Sequence, residues 1–455
     1  MKQTDQPNQP IKKLIPKPAM GKIIGQAFDA GVNKLIAWSL CWGRKAWLGF
    51  LVSMALVLAL LQPSYSQILE SPLDITQPVA QILDQTPDQI VAQNFPNSEL
   101  RGVWLTNIDS DVLFAQPRLA AALTQLKQFN FNVVYPTVWN WGYTLYPSDV
   151  MGRVARQVLD PEPGLQGRDI LQETITKSRQ LGLSVVPWFE FGFMAPADSE
   201  LAKMHPDWLT NRQNGGKIVR EGIHDRVWLN PWHPEVQTFI TDLVTEIVTL
   251  YDIDGIQFDD HFGLPVELGY DPYTIELYKK ENPGKTPPGN ARDPQWIRWR
   301  ANKITEFYGQ IYRKIKSLKP NIIVSLSPNP YQFAYDSYLT DWKTWEEKGW
   351  VDELLVQVYR ENMNTFLREI DQPEVRAASR RIPVGIGILT GVRDRSYSPR
   401  LILDQVAAAR SRNFAGISFF YYETLWNNAS EPVDQRFGIF TNIFPRAASR
   451  PTVGR

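Results

Sequence analysis

Cysteine is nearly missing from this sequence: Cys41 is the single one in 455 residues. No disulfide can therefore form within one chain, and that absence leaves export open. Histidine is scarce too, with only His205, His224, His233 and His261. No two of them sit on one helix at the spacing of a zinc-hydrolase motif, so no metal or other cofactor is expected. Neither sign of charge prevails, since Lys plus Arg and Asp plus Glu each number 48. That removes the basic footprint of a nucleic-acid binder. No G-x-S-x-G elbow offers a serine nucleophile, and no glycine-rich phosphate loop follows the first strand. Aromatic residues, by contrast, are plentiful, with 16 Trp and 17 Tyr. They suit a core, and they also suit stacking on sugar rings.

The N-terminal region reads as an export signal or anchor. Met1 to Lys45 carries many Lys and Arg and only Asp5 and Asp29 as acids. Ala46–Leu61 follows as an uncharged run, slightly short for a full span and suited to a signal core. Ser64-Tyr65-Ser66 then places small residues at the spacing of a signal-peptidase site. The basic side is N-terminal and should stay in the cytoplasm. A cleaved signal over residues 1–66 and a retained membrane anchor are both consistent with this pattern. Residues 67–98, rich in Gln, Pro, Asp and Ser, read as a flexible tether. Membrane contact is expected only through the N-terminal segment.

From Glu99 onward strand-like and helix-like segments alternate. Strands are expected at 100–106, 132–138, 183–190, 255–258, 321–326, 352–358, 382–388 and 416–421. Helices are expected at 118–130, 169–181, 234–251, 294–318, 341–348, 362–378 and 399–412, with a closing segment near 438–445. The third strand is followed by a long loop. Eight such alternations predict a (β/α)₈ TIM barrel over residues 99–447, with a tail over 448–455. A doubly wound open sheet is the competing arrangement, and it usually needs fewer units.

The stretch Asp254-Gly255-Ile256-Gln257-Phe258-Asp259-Asp260-His261 organises the rest. Gly255, Gln257 and Asp259 alternate with Ile256 and Phe258 at strand period, so one face suits covering helices and the other a barrel interior and mouth. Acids at the C-terminal end of a barrel strand read as catalytic. The glycosidase chemistry implied by the family resemblance set out in the next paragraph needs two carboxyl groups, one to protonate the leaving oxygen and one to attack or activate water. Asp259 and Asp260 are candidates for the second role. Glu190, which closes the neighbouring third strand among Trp188, Phe189 and Phe191, is the candidate acid; the alternative is a structural Glu held by an Arg. Glu423, after the eighth strand, is held in reserve. Gln257, His261, Asn329, Gln357 and Tyr359 are placed to meet sugar hydroxyls. Trp104, Trp141 and Trp188 offer stacking faces, with core packing as the alternative.

Several stretches together resemble a known family. They are Leu100-Arg101-Gly102-Val103-Trp104-Leu105, Met204-His205-Pro206-Asp207-Trp208, Trp228-Leu229-Asn230-Pro231, the Asp254–Asp260 stretch, Ser327-Pro328, and Gly349-Trp350-Val351-Asp352 with Gln357-Val358-Tyr359. The set resembles the glycosyl-hydrolase-like barrels numbered ten, bacterial envelope proteins related to glycoside hydrolases. That resemblance implies an exported glycosidase whose partner is a polysaccharide of the envelope, peptidoglycan or an amino-sugar exopolysaccharide. His261 stands where the family commonly has Tyr, and Val356 where it often has Pro. The strand also resembles the chitinase pattern D-G-h-D-h-D-h-E, with Gln257 in place of an Asp and His261 in place of the acid Glu. A glycan-binding barrel without catalysis and a metal-dependent polysaccharide deacetylase are the rival expectations.

Overall fold

Eight short parallel segments carry the fold. They are β1 (Leu100–Leu105), β2 (Val133–Pro136), β3 in two pieces (Ser184–Val185 and Trp188–Phe189), β4 (Gly255–Asp259), β5 (Ile323–Ser327), β6 (Glu353–Gln357), β7 (Val384–Leu389) and β8 (Gly416–Phe420). The computed structural model describes residues 95 to 453, apart from Asp394 and Asn428. The expected export segment at 46–61 and most of the expected tether lie outside these residues. Among the described residues, no helix is long and apolar enough to cross a membrane.

Each strand pairs in parallel with its neighbours, and β8 returns to β1. Closure depends on β3. Pro187 has no N–H to give, and the regular pairing lapses there. Even so, Val186 N donates to Val134 O at 3.0 Å, and Gln257 N donates to Pro187 O at 2.8 Å. The strand thus runs on through the break, with β2 on one side and β4 on the other. The sheet closes into a barrel, as the alternation predicted.

Strand alternation sorts the side chains into two cores. Trp104, Tyr135, Val186, Trp188 and Leu355 pack inside the barrel. Glycine makes the room for them: a Cβ on Gly102 would stand 2.7 Å from the Tyr135 ring, and one on Gly385 2.4 Å from Leu355 Cδ2. The outward residues, among them Val103, Val134, Phe189, Ile256 and Phe258, join a larger core beneath the helices. The helix Pro294–Leu318 shows how that layer forms. Asp293 caps it by accepting from Gln295 N and Trp296 N, Pro294 takes the first helical position, and Ile297, Ala301, Ile304, Tyr308, Ile311 and Ile315 face the sheet at helical spacing.

Two local expectations are corrected. The single helix expected over 362–378 is two, Met363–Ile370 and Pro373–Ala378. Pro373 cannot donate to the preceding turn, and it starts a new helix instead. The long loop after β3 holds a small antiparallel sheet, in which His224–Trp228 pairs with Met194–Pro196 and with Val219–Glu221. That sheet brings a hairpin to the mouth of the barrel.

Candidate active site

The inward faces of β3 and β4 set the geometry. Gln257 lies opposite Trp188 and Phe258 opposite Phe189. One step further, Asp259 and Glu190 occupy the same level, both inward by alternation. Asp259 is 3% exposed and Glu190 7%. Asp259 Oδ1 accepts from Ser327 Oγ at 3.1 Å and from Gln357 Nε2. Gln357 is itself fixed by a 2.8 Å bond to Ser327 O. The ends of β4, β5 and β6 therefore hold this carboxylate in one place.

Glu190 has different surroundings. Its Oε2 accepts from Asn140 Nδ2 at 2.5 Å and from Thr137 Oγ1 at 3.3 Å. Burial pushes its carboxyl up, the charge of Asp259 pushes it further, and His261 pulls it partly back, leaving it at about 8. At neutral pH Glu190 carries a proton.

Asp260 and His261 form an ion pair. His261 Nδ1 stands 3.1 Å from Asp260 Oδ1 and 3.8 Å from Asp259 Oδ2. Its Nε2 is 3.9 Å from Glu221 Oε1, on the hairpin. Burial works against a charged imidazole, but Asp260, Asp259 and Glu221 outweigh it and raise the ring to about 10. Burial likewise raises the Asp260 carboxyl, and the imidazolium draws it only partly back. Asn329 Nδ2 donates to Asp260 Oδ2, so the groups around Asp260 are donors and the pair's proton rests on His261. Asp259, Asp260 and His261 each offer a ligand atom within 4.8 Å of one another. Ser327 and Gln357 donate to Asp259 Oδ1 and Asn329 to Asp260 Oδ2, which leaves one oxygen of each carboxylate toward His261.

Other predicted residues gather at this mouth. The Tyr359 ring stacks on Phe420 at 5.3 Å, and burial together with the charges of Asp259, Asp260 and Glu190 raises its phenol well above the ordinary range. Trp141 sits at the tip of a hairpin joining Trp139–Asn140 to Tyr143–Thr144. Trp141 and Gly142 both have positive φ, at 55° and 77°, as a tight two-residue turn demands. For Trp141 that conformation is costly. It carries the half-buried ring to Phe191, 6.1 Å away, and to His224, 4.9 Å away.

Three expected contacts, at Trp104, Gln257 and Trp188, are corrected. Trp104 and Gln257 have no exposed surface, and Trp188 has only 2%. Trp104 Nε1 donates to Gln257 Oε1 at 2.7 Å, and Gln257 Nε2 donates to Ser325 Oγ at 2.9 Å. These residues are the barrel's filling, one layer beneath the carboxyl groups, and cannot touch a glycan. Glu423 accepts from Ser110 Oγ at 3.2 Å and Asn427 Nδ2 at 2.7 Å. It lines a cavity of about 940 Å³ along the helix Gln116–Gln128, and no hydrogen bond or ion pair joins it to the three acids.

Sequence reasoning missed Thr137, Asn140, Ser327, Glu221 and Arg226. The first three are short polar residues at strand ends, hard to single out by type. Glu221 and Arg226 flank Gly222, whose φ is 58°, in a tight hairpin. That glycine was the available signal, obscured by charged residues at both parities of the hairpin strands.

A closed parallel barrel with buried carboxyl groups at its C-terminal mouth is the arrangement of a glycoside hydrolase-like protein. The chain belongs to the Glycosyl hydrolase-like 10 family, which it matches over residues 99–406. It is 26% identical over 311 residues to glycosyl hydrolase DigH of Escherichia coli K12, covering 57% of this chain and 65% of that one. It is 24% identical over 294 residues to glycosyl hydrolase YngK of Bacillus subtilis, covering 57% of this chain and 54% of that one. The match thus spans less than two-thirds of either relative. Among solved structures, the glycoside hydrolase domain of PgaB (BpsB) from Bordetella bronchiseptica superposes with a TM-score of 0.54 at 12% identity, covering 77% of this chain and all of that one. An α-L-fucosidase from Paenibacillus thiaminolyticus gives a TM-score of 0.55 at 14% identity, covering 76% of this chain and 49% of that one. These two likenesses concern the fold.

Proposed function

We propose that the protein is an exported glycoside hydrolase that cleaves an O-glycosidic bond in a cell-envelope glycan, peptidoglycan or an amino-sugar polysaccharide. The observation that carries the reading is a buried Glu190 level with a hydrogen-bonded Asp259 on the neighbouring strand. Glu190 gives its proton to the leaving oxygen. Asp259 attacks the anomeric carbon or takes a proton from the attacking water. Asp260 and His261 hold the sugar beside them, with Asn329, Gln357 and Tyr359 on its hydroxyls and Trp141 against a ring face. The run Ala46–Leu61 directs the barrel across the membrane, with or without later cleavage after Ser66.

The test is release of reducing ends from both glycan classes by the wild type and by Glu190→Gln, Asp259→Asn and Asp260→Asn, with folding followed by circular dichroism. Glu190→Gln and Asp259→Asn should each lose on the order of a hundredfold or more. A wild type that releases nothing, or two folded variants as active as it, would sink the catalytic reading. Full-length chain recovered from the cytoplasm alone would sink the export reading.

A further inference from the structure

Arg226 is the buried cation at the mouth that the proposed chemistry leaves unused. It is 4% exposed. Its guanidinium lies 4.0 Å over the Trp141 ring and 5.1 Å from the centre of Phe191. The two rings hold the group in place. Nε and Nη1 are buried without a hydrogen-bond partner. The nearest acid oxygen, Glu221 Oε2, is 4.0 Å from Nε, beyond hydrogen-bond reach. Glu190, when ionised, is close enough to act on the group.

Among the described residues, the other buried arginines, Arg101, Arg300 and Arg436, all make side-chain hydrogen bonds. Arg300 donates to the carbonyls of Val266, Leu268 and Ala291. Arg436 donates to those of Leu425, Thr424 and Thr390. Both tie loops together. Among the described residues, the Arg226 side chain makes no hydrogen bond. A guanidinium pinned by aromatic rings and left with unused donors suits a planar anion, which it can grip with two parallel bonds. Glu221 offsets the charge at ion-pair distance, but neither it nor the aromatic packing satisfies the Nε and Nη1 donors.

We propose that Arg226 forms a subsite for a carboxylate-bearing sugar next to Glu190, so that the glycan cleaved here is acidic. This rests on the glycosidase reading of the same mouth. Two chemistries supply such a group: an acid ether-linked to an amino sugar, and a uronic acid. A site built to pair a charge discriminates strongly against the analogue lacking it.

The test uses matched glycans: peptide-free strands of peptidoglycan for the ether-linked acid and hyaluronan oligosaccharides for the uronic acid. Each is used intact and with its carboxyls reduced to alcohols. Reducing-end release by the wild type is read beside calorimetric binding to Glu190→Gln, which retains Arg226. Intact glycan of one class should be bound and cleaved about 10- to 100-fold better than its reduced form. The class that shows the difference identifies the acid. Arg226→Gln should erase that preference, while Arg226→Lys should retain part of it. The comparison of intact with reduced glycan needs no variant and is immune to misfolding. Equal handling of intact and reduced forms, no binding of either acidic glycan, or an equal loss on both forms in Arg226→Gln overturns the proposal. A preference in binding without any cleavage would leave the subsite standing and remove the glycosidase reading instead.

Discussion

Two carboxyl groups at one level of the barrel differ because their neighbours differ. Asp259 receives hydrogen bonds from Ser327 and Gln357. Glu190 is raised to about 8 by burial and by the charge of Asp259. A working acid at that position requires its proton, so turnover should fall as pH rises through about 8. The same shift bears on stability. The folded chain keeps a proton on Glu190 that the unfolded chain releases above its ordinary value of 4.5. Its contribution is therefore fully present below that value and is lost as pH rises toward 8, a loss on the order of a few kcal/mol. Glu190→Gln should flatten this fall in denaturant midpoint between those limits. An unchanged slope, with turnover still high well above pH 8, would mean that Glu190 is ionised and cannot be the acid. His261, raised to about 10, stays charged over the whole window.

At the scale of an element, strand parity was legible and depth was not. Alternation in β4 sends Gly255, Gln257 and Asp259 inward, and the structure agrees. Each two-residue step along a strand climbs roughly 6.6 Å. That rise separates Gln257, in the filling, from Asp259, at the mouth, and nothing in a single strand's pattern marks where filling ends. Trp104 was misplaced for the same reason. The polar column Trp104–Gln257–Ser325 instead holds the layer on which the carboxyl groups rest. Replacing Gln257 by Leu should orphan the Trp104 N–H and lower stability by about 2 kcal/mol. Chemical denaturation measures that loss, and glycan binding near 20 °C should stay close to wild type. A variant with wild-type stability that no longer binds glycan would return Gln257 to the substrate. The hairpin carrying Glu221 and Arg226 was illegible for another reason: its strand His224–Trp228 pairs with Met194–Pro196, distant in sequence. Such pairing depends on the fold around it, not on local pattern.

At the scale of the whole molecule, the far end of the barrel decides whether the mouth is held in shape. The family match stops at residue 406, so β8 and the last helix, Val433–Ile443, lie beyond it. The chain then returns beneath the barrel. Glu99 N donates to Ser449 O and Ser449 N to Asn97 O, each at 3.0 Å. The next residue, Arg450, reaches Glu353 Oε2 at 2.6 Å. Tyr135 Oη, at 3.1 Å, and Ser325 Oγ, at 3.0 Å, donate to the other Glu353 oxygen. Residues read from sequence as a tail thus supply the counter-ion for a buried acid at the foot of β6. Ser325 also accepts from Gln257, so the network runs from Arg450 up to the layer beneath the site. Removing one partner of a buried pair leaves the other charge uncompensated and costs about 3–5 kcal/mol. Arg450→Ala should therefore lower the unfolding free energy by roughly that amount. Adding Glu353→Gln should recover much of it, because the orphaned charge is gone while Tyr135 and Ser325 keep an acceptor. Urea unfolding of the barrel with and without each change reads both effects. If Arg450→Ala unfolds at the wild-type midpoint, Arg450 does not seal the barrel and the terminal segment is dispensable. If it destabilises the chain but Glu353→Gln brings no recovery, the loss comes from packing of the Arg450 stem and not from the charge on Glu353.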